Sequence, residues 1–257
     1  MCQWRHRTCF KLNVFFGSER WVCPVTEHIS HIVLLPGLDG TGRLFRWLAA
    51  EYKGAIPLEV VSYPEDARLG YPELAQYVRG IIGHRNVIVL GESFSGPVAV
   101  EIAASMPGQI QGLILAATFV RSPWPAWLVK LAARLNPGFA PRPLMNAILR
   151  GRNTNPDLEM EIEKILTEMP AEVRSKRLCE VADADVRQRL KAVRCPILVL
   201  HGTRDWLVPR TSVVNALKSD KDATLSLCEA PHMLLQTKAG TAARAIEAFA
   251  GKIGTTS

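Results

Sequence analysis

The stretch VLGESFSGP, Val89 to Pro97, decides how this chain is read. An apolar run of strand character ends at Gly91, two serines flank one aromatic, and Pro97 suits the first turn of a helix, where a missing N–H costs nothing. Strand, sharp turn and helix in that order push a serine out at the strand's end. The pattern is G-x-S-x-G, written here as Gly91-Glu92-Ser93-Phe94-Ser95, with serine where the second glycine should stand. Two registers compete. Were Ser95 the nucleophile, Ser93 and Pro97 would fill the positions where the helix returns close to the strand, and proline does not pack there. The register therefore selects Ser93, leaves Ser95 as a small side chain tolerated at a tight position, and makes Gly96 a second point of close approach.

Outward from this stretch, short runs rich in Val, Ile and Leu recur at His31–Leu35, Leu58–Ser62, Val87–Leu90, Leu113–Ala116, Ile197–Leu200 and Thr224–Leu227. Segments with helical spacing lie between most of them, at Leu44–Tyr52, Pro72–Ile82, Pro97–Met106 and Thr211–Leu217, with another at Thr241–Ala250. Alternation of this kind predicts an α/β fold with a mostly parallel, doubly wound sheet, and continuously apolar strands fit a sheet covered on both faces. The alternation breaks once. From 119 to 190 there is helical spacing without a convincing strand, which predicts a helical cap inserted in a core made of residues 1–118 and 191–257. Asn155-Pro156 reads as a helix cap followed by proline at the first helical position, with Leu158, Ile162, Ile165, Leu166 and Met169 along one face. The first half of the insertion, Phe119–Arg152, holds six basic residues and no acidic one, whereas Asp157–Glu172 is dominated by carboxylates.

Length and composition bound the rest. A chain of 257 residues that is 48% hydrophobic buries one sizeable core with a smaller appended unit. Its six cysteines are scattered, without a C-x-x-C pair or zinc-type spacing, so reduced thiols, no metal and no cofactor are expected. The opening residues MCQWRHRTCF lack the apolar run of a signal peptide, and no segment is long enough to span a bilayer. The expectation is a cytoplasmic protein with no integral membrane segment. The net charge of +7 comes without a Lys/Arg run or a nucleic-acid motif, so it reads as a solvated basic surface and not as a nucleic-acid interface. No internal repeat is present, the pattern sets no oligomeric state, and the tail Gly251–Ser257 is expected to be loose.

Functional groups in open α/β sheets gather at the carboxyl ends of strands. Ser93 follows one strand, Asp205 closes HGTRD (His201–Asp205) after another, and His232 closes EAPH (Glu229–His232) after a third. Each alone reads as a turn residue, a helix cap or a loop-satisfying histidine. Together they stand in the order Ser, Asp, His, each at a strand end. His201 is the competing base, but it sits at the very end of a strand, where a side chain packs, so His232 is preferred. The loop PGLDGTG, Pro36–Gly42, lacks the Lys-Ser/Thr of a phosphate-cradling loop and the third glycine of a dinucleotide fingerprint.

With these residues in hand, the chain resembles the α/β-hydrolase fold family over roughly residues 30 to 250. The likeness rests on LLPGLDG (Leu34–Gly40), GESFSG (Gly91–Gly96), HGTRDWLVP (His201–Pro209) and the Pro231-His232 pair. It implies Ser93 as nucleophile, Asp205 as acid and His232 as base. The backbone N–H of Phe94 follows from the turn as one oxyanion donor, and the match to the family supplies Leu38 N–H as the second. A serine at 93 excludes the aspartate nucleophile that other members of this fold use.

The expected activity is hydrolysis of small or medium acyl esters by a carboxylesterase-like serine hydrolase, through an acyl-enzyme intermediate. Two alternatives stand beside it. One is an acyltransferase or thioesterase with the same triad, for which the basic half of the cap suits an anionic acyl carrier and LPGLDGTG (Leu35–Gly42) resembles acyltransferase-like members. The other is a noncatalytic ligand-binding protein on the hydrolase scaffold. Trp124, Trp127, Leu128 and Leu131 read either as an acyl-pocket wall or, preferably, as the cap's own core and solvated face.

Overall fold

Alternate residues along each central strand belong to two different apolar layers, and that division organises the molecule. The computed structural model describes residues 10–12, 20–22, 28–135, 151, 155–217 and 223–255. Strands β1 (Phe10–Leu12) and β2 (Arg20–Val22) form an antiparallel ladder of their own. The main sheet comprises β3 (His31–Leu35), β4 (Leu58–Val60), β5 (Val87–Glu92), β6 (Ile110–Ala116), β7 (Ile197–Gly202) and β8 (Ala223–Cys228). All six run parallel, in the order β4-β3-β5-β6-β7-β8. Val33, Leu35, Val89, Leu113, Leu115 and Val199 face one layer, and their neighbours Ile32, Leu34, Ile88, Leu90, Ile114 and Leu198 face the other.

Helices cover both layers, which is why β5 and β7 are buried at every position and need no polar face. Helices α2 (Tyr71–Ile82) and α3 (Gly96–Ser105) supply Leu74, Val78, Val98 and Ile102 to the first layer. On the second lie α1 (Arg46–Glu51), through Leu48, and α10 (Ala239–Thr255), which follows α8 (Thr211–Leu217) and α9 (Leu234–Thr237) in the chain, through Ala243, Ile246 and Ile253. Helix α10 continues through Gly251–Thr255, against the expectation of a loose tail from Gly251; residues 256–257 lie outside the described residues. Ile253 explains the extension: it is buried, and a Cβ at Gly112 would come within 2.6 Å of its Cδ1, so the bare glycine in β6 makes its seat. The edge strand β8 has a mixed burial pattern, as a strand open on one side should.

Between β6 and β7 the chain leaves the sheet for α4 (Ala126–Arg134), α5 (Pro156–Glu168), α6 (Ala171–Asp183) and α7 (Arg187–Ala192). The Asn155 side chain caps α5, accepting from the N–H groups of Asp157 at 3.0 Å and Leu158 at 3.2 Å, with Pro156 at the first helical position. Of the five residues expected on its face, Leu158, Ile162, Ile165 and Met169 are buried, but Leu166 is exposed. The expectation for α4 also needs correcting. Trp124, Trp127, Leu128 and Leu131 are all exposed and do not form a core of the insertion, while the same helix turns Val129 and Ala133 inward. Of the six basic residues counted in Phe119–Arg152, Arg142, Arg150 and Arg152 lie outside the described residues.

Cys179, Cys195 and Cys228 are free thiols, as expected; Cys2, Cys9 and Cys23 lie outside the described residues. Among the described residues, no helix is long and apolar enough to cross a membrane. After β3 the chain moves outward to β4 and then crosses back to β5 on the other side, so a crevice opens above the carboxyl ends of β3 and β5.

Candidate active site

Pairing of β3 with β5 places Leu35 opposite Gly91, so the loop that follows β3 runs beside the turn that follows β5. On that turn Ser93 has φ of 49°, a left-handed conformation that a non-glycine residue adopts under strain. It opens a short 3-10 turn, Ser93–Ser95, that leads directly into α3. The tight packing expected of the turn is present. A Cβ at Gly91 would lie 2.6 Å from the Ser95 carbonyl oxygen and 2.8 Å from the Ala99 Cβ, and one at Gly96 would collide with Thr118. Thr118 Oγ1 in turn donates to the Ser93 carbonyl, fixing the turn from the side of β6.

Asp205 and His232 reach this turn from the far side of the sheet. Gly202, the last residue of β7, has room for no side chain because the loop after β8 crosses it: a Cβ there would come within 2.7 Å of the Pro231 carbonyl oxygen. The Arg204 N–H donates to the Ala230 carbonyl at 3.0 Å, binding the two loops together. His232 Nδ1 then lies 2.9 Å from Asp205 Oδ2, and His232 Nε2 lies 2.9 Å from Ser93 Oγ. The other carboxylate oxygen, Asp205 Oδ1, accepts from the N–H groups of Leu207 and Val208, both at 2.9 Å. The aspartate side chain has no exposed surface and the histidine is buried, while Ser93 at the other end of the relay is partly exposed. His201, the competing base, is buried in β7, where desolvation lowers its pKa, and its Nδ1 has no partner in the described structure.

Ser95 is more than a tolerated serine. Fully buried, its hydroxyl donates to the Pro36 carbonyl, and Tyr63 Oη lies 2.7 Å from it. Since a hydroxyl has one proton and that proton goes to Pro36, the Tyr63 hydroxyl is the donor in the second bond. Burial holds the Tyr63 phenol well above its usual pKa, which keeps that proton in place. The chain Tyr63, Ser95, Pro36 thus ties the Ser93 turn to the loop after β3. Replacing Ser95 with alanine is expected to lower stability by about 1–3 kcal/mol, since it orphans a buried donor and a buried acceptor. Ser95→Leu, which must fit four carbons into the same closed space, is expected to prevent folding or lower stability further. Urea unfolding of both variants checks the ranking, and unchanged midpoints would contradict it.

Leu38 and Phe94, the expected oxyanion donors, flank the crevice from opposite sides. Phe94 N–H belongs to the first turn of a helix, where leading amides lack an intrahelical acceptor, and the Leu38 N–H meets no acceptor among the described residues. The Phe94 side chain is buried against Tyr71, with ring centroids 4.9 Å apart, and therefore belongs to the core and not to an open pocket.

Glu92, directly before Ser93, is not singled out by the sequence. It is buried and accepts from Gln236 Nε2 at 2.9 Å. Burial pushes its carboxyl up to about 7, with Gln236 pulling the other way. A carboxyl whose folded value is raised stabilises the fold when protonated, and that stability is lost as pH rises from the ordinary glutamate value toward 7. Glu92→Gln, neutral throughout, is therefore expected to be more stable than the parent above pH 7 by about 3 kcal/mol, with the gap closing below about pH 4.5. Thermal unfolding across this range checks it; a gap independent of pH would contradict the assignment.

Comparison with known proteins bears on the family and the fold. The family model for serine aminopeptidase, S33, matches residues 72–237. The pimeloyl-[acyl-carrier protein] methyl ester esterase of Aeromonas salmonicida (strain A449) is 26% identical over 204 residues, covering 71% of this chain and 80% of that protein. The enol-lactonase from Burkholderia xenovorans LB400 superposes with a TM-score of 0.77 at 17% identity, covering 87% of this chain and 92% of the other. An esterase from Exiguobacterium antarcticum gives 0.75 at 15% identity, covering 86% and 92%. The sheet order, the sharp serine turn and the family match converge: the chain belongs to the serine aminopeptidase S33 family, within the α/β-hydrolase fold.

Proposed function

We propose that this protein is a carboxylic-ester hydrolase in which Ser93, His232 and Asp205 form the catalytic triad. The observation that carries the reading is the unbroken relay from Ser93 Oγ through both nitrogens of His232 to a carboxylate whose other oxygen is already held by two backbone N–H groups. His232 Nε2 takes the Ser93 proton as Oγ attacks the ester carbonyl, and Asp205 holds the imidazole in the tautomer that leaves Nε2 free to accept. The carbonyl oxygen gains negative charge between the Leu38 and Phe94 N–H groups. Collapse expels the alcohol, which receives the proton from His232, and water delivered by the same histidine releases the acid from Ser93.

Residues 119–190 act in this reading as a cap over the core formed by 1–118 and 191–257. Leu158 and Ile162 of α5 pack with Met233, the residue after the base, giving an apolar wall beside the triad suited to an acyl chain. Similarity to a methyl ester esterase favours an ester of a small alcohol on a medium acyl chain. A chain-length series of nitrophenyl esters with an acyl-CoA control tests this: turnover peaking at medium length with ester preferred over thioester is expected. Preference for the thioester, or acyl transfer to an added alcohol outrunning hydrolysis, would favour the thioesterase or acyltransferase instead.

A further inference from the structure

One buried charge in the insertion has no part in the relay described above. Arg177, on α6, is almost fully buried although it is an arginine on a helix outside the sheet. Its Nη1 donates to the Leu38 carbonyl at 2.9 Å and its Nη2 to the Pro64 carbonyl at 3.2 Å. Gly40, with φ of 75°, lies directly against the guanidinium; a Cβ there would collide with it. The Tyr63 ring sits 5.8 Å from its Cζ, and Asp39 and Glu65 attract it through space.

These contacts converge on a single turn. The Gly40 N–H donates to the Gly37 carbonyl at 3.1 Å, closing a four-residue turn with Leu38 and Asp39 at its centre. That bond fixes the Gly37–Leu38 peptide, which carries the Leu38 N–H. The next peptide, Leu38–Asp39, is the middle one of the turn and the one free to rotate, and its carbonyl is the group that Arg177 holds. Tyr63 N–H closes the turn's far end by donating to the Gly40 carbonyl at 2.7 Å. Pro36 is held from the core by Ser95, and Leu38 from the insertion by Arg177.

We propose that Arg177 is a positioning residue of the oxyanion hole: seated by the cap, its guanidinium locks the Leu38 turn in the orientation that aims Leu38 N–H at the developing oxyanion. The inference rests on the esterase reading above. It makes the hole a joint product of core and cap, so that a cap displaced from the core frees the Leu38–Asp39 peptide and loosens the turn that carries the second donor.

The expected result for Arg177→Lys, which keeps the charge but cannot bridge both carbonyls, is a fall in kcat of roughly 10- to 100-fold with KM little changed. A phenylboronic acid, whose tetrahedral serine adduct places an oxygen in the hole, is expected to lose affinity by the same factor as kcat/KM falls. Free guanidinium ion at millimolar concentration is expected to restore part of the activity of Arg177→Ala. Should Arg177→Ala fail to fold, Arg177→Lys carries the test alone. A folded Arg177→Lys protein with lowered thermal stability but unchanged kcat and boronate affinity would reduce the residue to a structural clamp and overturn the proposal. A parent protein that neither hydrolyses esters nor reacts at Ser93 would overturn both this inference and the esterase reading.

Discussion

Ser93→Ala is expected to remove about a million-fold of kcat on an activated ester while leaving the fold intact. The size follows from the covalent route: without Oγ there is no acyl-enzyme, and only the backbone donors and the bound geometry remain to help water attack. Folding should be spared because the turn is held by groups other than the hydroxyl. Thr118 fixes the Ser93 carbonyl, Gly91 and Gly96 permit the close approach, and Ser95 ties the turn to Pro36. Single-turnover and steady-state assays on protein with an unchanged melting curve make the measurement. Residual turnover within tenfold of the parent would mean that another group attacks the ester.

Asp205→Asn is expected to lower kcat by roughly ten-thousand-fold, and the local hydrogen bonds dictate why. Leu207 and Val208 N–H both point at Oδ1, so the amide oxygen of an asparagine must stay there and its NH2 must face His232. An NH2 group donates, which forces Nδ1 to accept and moves the ring proton to Nε2. The imidazole then presents a proton to Ser93 where a lone pair is needed. Because asparagine preserves the shape, the loss should fall on kcat while KM stays within a few-fold. Equal losses in stability and activity would instead point to a collapsed loop.

Much of this site was legible in the sequence because its parts are local to strand ends. A hydrophobic strand followed by G-x-S, HGTRD or EAPH announces both an element and the position where it stops, and parallel order brings those stops to one edge. Ser93, Asp205 and His232 stand out on that ground, and the structure brings their side chains within hydrogen-bond distance; His201 recedes on the same ground, and the structure places it inside β7. What the sequence hid depends on partners far along the chain. Ser95 reads as a compromise for a missing glycine until Pro36 and Tyr63, 59 and 32 residues away, are seen on its hydroxyl. Arg177 sits in an amphipathic helix and bonds to backbone carbonyls, which carry no residue signature, so no motif could mark it. Around α4 the sequence misleads in the opposite sense: Trp124, Trp127, Leu128 and Leu131 read as a core, and the structure leaves them exposed while Val129 and Ala133 pack inward.

Ser93, and no other residue, is expected to attack the substrate under the control of His232 and Asp205. Reaction with a fluorophosphonate followed by peptide mass spectrometry tests it most directly, since the reagent needs an activated serine and a formed oxyanion site. One adduct per chain is expected, on the peptide containing Ser93, absent from Ser93→Ala and slowed severely in Asp205→Asn. Folded protein that stays unlabelled, or a label that maps to Ser95 or to any residue other than Ser93, would contradict it.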